Sequence, residues 1–455
     1  MIAAAERAAN LWPLHPEQRR ILHAQARTPD SSKYNVGGYV RMRGDFDPEA
    51  YCRALAWFFE HCDAERMAIL HTAGAPRQQF REDAAMPAPE RLDFSDRPDP
   101  RGAALAWMQA RMDGPMPMSD FPLFEHALIA IEPDETWYFG RHHHIIADAY
   151  AFSLKINAVL DCYGALRSGA AMPASRLGSY RHEIEESLAY LQSPEHEADL
   201  GYWRERLAAP PASLWPGAEE DDPAAAMQVR AVEIAEVEIG GALRERMQAA
   251  ASLARTSLLH VLMACVSVHF ARVAGLADLV VGVPVHNRTN LRRKRTFGVM
   301  SAIVPTRLAA PSNSTLIDVA RAIAIGLATD MAHRHVPLWE IIKQSRATEN
   351  SRRPLFEIVI NYEPYIETSG TAGLEVTTHE LTSRMEHIPL HIRLCDFGAH
   401  QPLAVRIQLM LGSSAVGADD FATRFHATLT AALDEPERPL HKLFQRLAVD
   451  NSQGI

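Results

Sequence analysis

Residues 137–150 read Trp-Tyr-Phe-Gly-Arg-His-His-His-Ile-Ile-Ala-Asp-Ala-Tyr, and the expected structure depends on this stretch. It begins with the apolar and aromatic residues typical of a strand and then reaches three consecutive histidines at positions 142–144. Asp148 follows, and it is a suitable N-cap for the helix that the spacing of residues 151–160 predicts. A strand that runs into a helix N-terminus can hold an imidazole in a cleft while the scaffold stays rigid. The stretch therefore predicts a candidate site at a strand–helix junction.

Length and composition are those of a globular chain with two subdomains. The 455 residues exceed what one ordinary core holds and suggest two subdomains of about 200 residues each. Hydrophobic residues make up 47% of the chain, which allows ample burial. The net charge of -10 argues against a nucleic-acid partner, because phosphate backbones attract basic surfaces.

The sequence gives no indication of export or of a membrane partner. Residues 1–7 lack a cationic segment followed by a long apolar one, so no secretory signal is expected. The apolar stretch Leu258–Val273 is interrupted by His260, His269 and Arg272, which predicts a buried core helix rather than a membrane span. The five cysteines are scattered without a CxxC pair, which indicates reduced thiols and a cytoplasmic location.

The histidine motif resembles the signature of a known family. The pattern His-His-x-x-x-Asp-Gly of condensation domains from nonribosomal peptide synthetases is closely matched by His143-His144-Ile-Ile-Ala-Asp148-Ala149. Further stretches resemble other motifs of this family: a Gln-x-Arg step within Leu11–Leu22, the weakly matching Cys62–Arg66, a Tyr-Trp segment in Gly201–Leu207, Phe297–Pro305, and the stretches around Pro337 and Phe356. The resemblance is collinear from about residue 11 to about residue 443, which is stronger than any one motif.

The resemblance implies a fold and a domain organisation. The fold would be α/β, with two chloramphenicol-acetyltransferase-like subdomains in a V-shaped pseudo-dimer and the active-site tunnel between them. The N-terminal subdomain, residues 1–182, would carry the histidine motif, and residues 183–455 would form the C-terminal subdomain. A stretch rich in Pro and Ala at about 208–226 is the linker candidate.

The resemblance also implies the roles of the site residues. His144 would be the catalytic residue, assisting attack on a thioester by accepting the proton of the nucleophile or by orienting it. His143 would be packed and hydrogen-bonded. Asp148 would form a buried ion pair that holds the loop, with Arg288 as its partner by position.

Two positions beside the expected site depart from the family pattern. Ala149 stands where the motif has Gly, so its methyl group would narrow the tunnel or shift a backbone donor. Ala302 stands where Asn is usual, and Ser301 is a candidate polar neighbour in the tunnel or oxyanion region. These departures would affect efficiency or the type of acceptor.

A metal site and a nucleotide-binding loop are not expected. His142 and His144 are two residues apart and would face the same side of a strand, which also fits a metal site, but no third ligand with metal-like spacing follows. The stretch Thr368–Gly373 looks like the phosphate loop of adenylating enzymes but lacks the Pro-Lys that should follow. A flexible loop is expected there, with no bound ATP.

The function implied by the resemblance is condensation. An acyl chain would pass from the phosphopantetheine thioester of a carrier protein to an amine or hydroxyl nucleophile, giving an amide or an ester. The acceptor would be a small molecule or a carrier-bound aminoacyl group, and the protein would bind no cofactor itself. The protein would be a free-standing enzyme or an excised domain. A free-standing enzyme could release the acyl chain from its carrier onto a soluble acceptor.

Three alternatives remain open. A coenzyme-A-dependent acyltransferase of the same superfamily would take soluble acyl-CoA as donor. An epimerisation domain shares the doubled histidine but needs a catalytic Glu in a later motif that is not found. A catalytically silent carrier-docking module would show a degraded motif, whereas His143, His144 and Asp148 are all present.

Overall fold

The computed structural model describes residues 10–71, 74–119, 121–208, 213–214, 229–349, 354–363, 373–396, 403–414 and 416–452. The linker predicted at about 208–226 and the loop predicted at Thr368–Gly373 lie almost entirely outside these ranges. The strands are β1 (Leu11–Pro13), β2 (Asn35–Arg43), β3 (Met67–Leu70), β4 (Arg77–Phe80), β5 (Glu90–Asp93), β6 (Phe124–Glu132), β7 (Glu135–His143), β8 (Arg230–Ile239), β9 (Asp278–Val285), β10 (Ala302–Ala309), β11 (Ile358–Glu363), β12 (Glu375–Thr382), β13 (Met385–Glu386), β14 (Leu390–Cys395) and β15 (Leu403–Met410). The helices are α1 (Pro16–Gln25), α2 (Pro48–His61), α3 (Pro100–Asp113), α4 (Ala149–Arg167), α5 (Tyr180–Tyr190), α6 (Pro194–Arg206), α7 (Gly241–Ala254), α8 (Leu258–Val273), α9 (Leu291–Lys294), α10 (Leu316–Ala332), α11 (Leu338–Glu349), α12 (Ala418–Asp434) and α13 (Leu440–Ser452).

The chain forms two compact units, and neither is one continuous segment. Unit 1 comprises the described residues of Met1–Ser193, His286–Ser301 and Ile366–Met385, and unit 2 comprises the rest. The subdomain boundary at 182/183, the V-shaped arrangement and the tunnel stay predictions.

Unit 1 is built on a five-stranded sheet in the order β12–β2–β7–β6–β5, beside a three-stranded sheet in the order β1–β4–β3. Successive side chains of a strand point to opposite faces. Along β7, Trp137 and Phe139 therefore pack with Met108 of α3 in one core. Tyr138 packs in a second, larger core that α2 and α4 also line. The sheet is thus covered on both faces, and β7 runs through its middle.

Unit 2 is built on a seven-stranded mixed sheet in the order β10–β9–β11–β14–β15–β8–β13. Its core includes the continuous buried run Val261–Phe270 of α8, so the predicted core helix is confirmed. Within the described ranges, no single helix is long and apolar enough to cross a membrane, and α7 with α8 meets that test only as a pair bent by 98°.

Local sequence accounts for the elements that lead to the site. Helix α2 begins at Pro48 after the N-cap Asp47, whose carboxylate accepts from Glu49 N and Ala50 N. Strands β6 and β7 pair antiparallel and form the hairpin that leads to the histidines. With sheets and helices in both units, the predicted α/β class is confirmed.

Candidate active site

The histidine motif lies where β7 ends and α4 begins. β7 ends at His143, and His144 to Ile146 form a turn closed by Ile146 N donating to His143 O at 3.0 Å. Because the strand stops at His143, its alternation does not extend to His144. The expectation that His142 and His144 face one side of a strand was therefore wrong. Asp148 caps α4 as predicted, its Oδ1 accepting from Ala151 N at 2.9 Å.

His144 presents one ring nitrogen that is free to act as a base. Its backbone N–H donates to Tyr34 O at 2.6 Å, and its Nδ1 lies 2.8 Å from Ala147 O. A carbonyl oxygen only accepts, so Nδ1 carries the proton and Nε2 holds a lone pair. In the described part of the chain, no hydrogen-bond partner reaches Nε2. Burial, and then the nearby charge of Arg20, lower the pKa of His144, which keeps the ring neutral.

His143 has the environment of a structural residue. Its side chain is buried, and its Nδ1 accepts from Ile145 N at 3.1 Å within the turn. Its ring lies against Tyr34, with the ring centroids 6.3 Å apart. Burial and then the neighbouring His144 lower the pKa of His143 to about 3, so it is neutral at physiological pH. These contacts agree with a packing role.

Asp148 and Arg288 form the ion pair that the sequence predicted. Arg288 Nη1 donates to Asp148 Oδ2 at 2.8 Å, and both side chains are buried. The same oxygen accepts from the backbone N–H groups of Met300 and Ser301, each at 3.0 Å. Burial acts to raise the pKa of Asp148, but the Arg288 charge and these donors outweigh it, so the pKa lies below its usual value. The carboxylate is therefore ionised and fixed at the start of α4.

The segment that carries Arg288 belongs to unit 1 and packs tightly within it. Arg288 Nη2 donates to Gly298 O at 2.9 Å, and the guanidinium carbon lies 4.5 Å from the centroid of the Tyr150 ring. Gly298 has a φ of +147°, and a Cβ there would come within 2.2 Å of the Tyr180 ring. Only glycine fits this position.

The two departures from the family pattern have different surroundings. Ala149 is the first residue of α4 and is exposed, and its φ is not positive, so no backbone strain follows from replacing Gly. Ala302 is buried at the start of β10. Ser301 is partly buried, and its backbone N–H is bound to Asp148, so this N–H is not available to an oxyanion.

Sequence reasoning missed several residues that hold the turn. Gln18 of α1 is buried, and its Nε2 donates to Ile145 O at 3.0 Å. Glu65 and Lys155 form a buried cluster with His142. A signal for Lys155 was available, because it falls in the apolar stripe of α4 between Phe152 and Val159. In the residues that the structure describes, no group of three or more His, Cys, Asp or Glu could hold a metal ion.

A comparison with protein families identifies the class. The model of the family described as Condensation domain matches residues 8–445, which is nearly the whole chain. The protein therefore belongs to the condensation domain family, and the resemblance seen in the sequence is confirmed. Condensation domains of nonribosomal peptide synthetases are acyltransferases that work with carrier-protein phosphopantetheine, and this membership makes the chain an acyltransferase of the condensation type.

Individual relatives and solved structures agree with this class. The isonitrile lipopeptide synthase of Streptomyces coeruleorubidus is 27% identical over 377 residues, covering 82% of this chain and 25% of the relative. Enterobactin synthase component F of Escherichia coli O157:H7 is 25% identical over 82% of this chain and 28% of its own length. The chain thus spans about a quarter of these relatives.

Solved condensation domains share the fold. A variant of the starter condensation domain of rhizomide synthetase, in complex with C8-CoA, matches with a TM-score of 0.82 and 23% identity, covering 96% of this chain and 98% of that one. The first condensation domain of the calcium-dependent antibiotic synthetase matches with a TM-score of 0.82 and 22% identity, covering 95% and 98%.

Proposed function

We propose that this protein transfers an acyl chain from the phosphopantetheine thioester of a carrier protein to an amine or hydroxyl nucleophile, with His144 as the residue that handles the proton. The observation that carries the proposal is the geometry of His144. Its Nδ1 proton is held by Ala147 O, and its Nε2 has no partner in the described residues. A neutral imidazole with one free, partly exposed nitrogen is suited to general base catalysis.

The chemistry requires one proton to move and one bond to replace another. The nucleophile attacks the thioester carbonyl carbon while Nε2 accepts the proton that the nucleophile loses. The tetrahedral intermediate collapses, the carbon–sulfur bond breaks, and the imidazolium returns the proton to the departing thiolate. The products are an amide or ester and a free carrier thiol. The buried Asp148–Arg288 pair would hold the turn in place throughout.

The relatives support the carrier-bound donor. A relative from Bacillus subtilis is named a dimodular nonribosomal peptide synthase, and family members work with carrier-protein phosphopantetheine. Carrier proteins are therefore the proposed partners, and the acceptor is an amine or alcohol, soluble or carrier-bound. All five cysteines are free thiols, which fits the reducing cytoplasm as the proposed location.

A second donor is favoured by one comparison. A starter condensation domain of rhizomide synthetase has been solved, as a variant, in complex with C8-CoA. A soluble acyl-CoA is therefore the alternative donor for the same site, with coenzyme A as the leaving thiol.

The test is intact-protein mass spectrometry of an acyl-loaded carrier protein, incubated with candidate amines and alcohols. The wild type would run beside His144→Ala, with His182→Ala as a surface control on α5. We expect nucleophile-dependent loss of the acyl mass with wild type and control, and a rate at least about 100-fold lower with His144→Ala. The mass of the product distinguishes amide from ester.

The outcomes separate the candidate functions. Turnover with acyl-CoA but not with the acyl carrier would assign the soluble donor. Transfer by His144→Ala at the wild-type rate would remove His144 from the chemistry. No transfer from either donor, with the carrier still bound, would favour a silent docking module.

A further inference from the structure

Three ionisable side chains meet in the core of unit 1, outside the reaction just described. His142 Nε2 donates to Glu65 Oε1 at 3.0 Å, and Lys155 Nζ donates to the same oxygen at 2.5 Å. Each of the three residues is at most 1% exposed. One carboxylate oxygen therefore accepts hydrogen bonds from both a strand residue, His142, and a helix residue, Lys155.

Aromatic rings surround this cluster, so water does not screen its charges. His142 lies against Phe124, Phe152 and Phe297, with ring centroids 5.6 to 6.1 Å apart. Lys155 Nζ lies 4.9 Å from the centroid of Phe124. Burial acts to raise the pKa of Glu65, but the Lys155 charge and the His142 hydrogen bond outweigh it and hold this pKa at about 2. Burial, and then the nearby Lys155, lower the pKa of His142, which keeps its ring neutral. The charges of the cluster are therefore those of the Glu65–Lys155 ion pair.

Stability alone gives little reason for such a cluster. Removing two charges from water costs free energy that their mutual attraction only partly returns, and apolar residues of similar volume often serve equally well. Buried ionic groups do, however, fix geometry, because hydrogen bonds are directional whereas apolar contacts are not.

The position of the cluster shows what it fixes. His142 is the second-last residue of β7, and Lys155 lies in the second turn of α4. The residues between these two elements are the turn that carries His144 and ends at Asp148. Glu65, in the short helical turn Ala64–Arg66, thus connects both sides of the catalytic turn through one atom.

We propose that Glu65, His142 and Lys155 are positioning residues for His144: they hold the end of β7 and the start of α4 at a fixed separation, and so aim the His144 ring. The proposal rests on the proposed function of His144, because it assigns to these residues the geometry of that same site. The Asp148–Arg288 pair fixes the end of the turn at Asp148. The cluster fixes the elements on either side of the turn, the end of β7 and the start of α4. A misplacement of a catalytic group by about 1 Å can lower the rate on the order of 100-fold. A small displacement of His144 caused by removing the cluster is therefore measurable.

The test variant is Glu65→Leu combined with Lys155→Met, which removes both charges without leaving one unpaired. A matched control is Glu135→Leu combined with Arg41→Met, because Glu135 is also a buried acid, bound by Arg41 at 2.9 Å, at the opposite end of the same strand. We expect kcat to fall roughly 10- to 100-fold in the test variant, with KM within about twofold of wild type. We expect kcat of the control to stay within about twofold, because that end of β7 is remote from the turn.

A second measurement does not depend on turnover. Nitrogen-15 spectra of histidine-labelled protein report the tautomer of His144, which is a single Nδ1–H form in the wild type by its bond to Ala147 O. We expect His144 to be a mixture of the two tautomers in the test variant and to keep the single Nδ1–H form in the control. An unchanged tautomer together with an unchanged kcat per folded molecule would overturn the proposal, as would an equal loss in the control.

The failures of the two proposals are distinguishable. A wild type that transfers no acyl group would overturn the proposed function, while the tautomer comparison would still decide whether the cluster orients His144. If the apolar pair does not fold, Glu65→Gln with Lys155→Gln keeps hydrogen-bonding groups without charge. In that variant, a wild-type tautomer of His144 together with a wild-type kcat would overturn the proposal. Mixed tautomers together with a lower kcat would support it.

Discussion

Two buried ion pairs flank the turn that carries His144, and they satisfy their carboxylates in different ways. Asp148 accepts from Arg288 and also from three backbone N–H groups, those of Ala151, Met300 and Ser301. The side-chain oxygen of Glu65 instead accepts from two other side chains, His142 and Lys155. A side-chain substitution other than one to proline leaves a backbone N–H in place. The hydrogen bonds of Asp148 are therefore less sensitive to substitution than those of Glu65.

The cations of the two pairs differ in the opposite sense. Arg288 cannot lose its proton in a protein, whereas a buried lysine can become neutral when its partner is lost. In the first pair, loss of the acid Asp148 should therefore destabilise the protein more than loss of Arg288. In the second pair, loss of Lys155 should destabilise it more than loss of Glu65. This contrast can be broken or sharpened by substitution.

The largest effect is expected from Asp148→Ala. The substitution leaves the Arg288 guanidinium buried with a charge that it cannot lose, at a cost of about 3 to 5 kcal/mol in the free energy of unfolding. Arg288→Met should cost less, because Asp148 keeps its three backbone donors. Urea unfolding of both variants measures the difference. Loss of activity in Asp148→Ala without loss of stability would contradict the architectural role.

His144→Ala should leave both pairs in place and remove the chemistry between them. We expect a fall in acyl transfer of about 100- to 10,000-fold, the usual range for a general acid–base group. The urea midpoint should change little, because the ring is only partly buried. A variant that loses activity and stability together would make His144 a structural residue like His143.

Lys155→Met should show a pH dependence that Arg288→Met lacks. Without the ammonium, burial still acts to raise the pKa of Glu65 and only the His142 contact opposes it. We therefore expect the pKa of Glu65 in this variant to lie above its unfolded value, so that the carboxyl binds a proton more readily in the folded state. The loss of stability, toward the lower end of about 3 to 5 kcal/mol at pH 7, should therefore shrink as the pH falls below the raised pKa. Unfolding at pH 7 and pH 5 tests this, and an equal loss at both would count against it.

A smaller effect concerns the pH profile of the wild type. The base must be neutral, and burial lowers the pKa of His144 below its ordinary 6.5. The acidic limb of kcat/KM should therefore lie below pH 6.5, with constant activity from there through pH 7. The measurement is kcat/KM from pH 5 to 8, and a limb above pH 6.5 would show that the ring is not held neutral.

The smallest effect is expected from Ala149→Gly. Ala149 is exposed on the first turn of α4, so restoring the family's Gly should cost at most about 0.5 to 1 kcal/mol of stability. We expect kcat within about twofold of wild type, since the methyl group causes no backbone strain. A large rise in kcat would instead show that the methyl group obstructs the substrate.

Local patterns in the sequence predicted much of this. Capping of α4 by Asp148 and the core helix α8 follow from residue order and spacing over a few turns. The Asp148–Arg288 pair was reached only through the family resemblance, because its members are 140 residues apart.

What the sequence did not reveal depends on contacts between distant elements. Glu65 sits in a stretch that matches its motif poorly, and its partners come from β7 and α4. The alternation rule misplaced His144, because where a strand stops is decided by the turn that follows. Neither feature is visible in local periodicity.

The division of the chain into units has a consequence for its synthesis. Arg288 leaves the ribosome 140 residues after Asp148, a delay of roughly 7 to 28 seconds at ordinary elongation rates. Edge strand β12, which pairs with β2, emerges later still. During this interval the nascent first unit has its histidine turn but lacks both the guanidinium and the covering strand. Translation pauses and chaperones would act on this incomplete first unit. A gene truncated before Arg288 would produce the same incomplete unit.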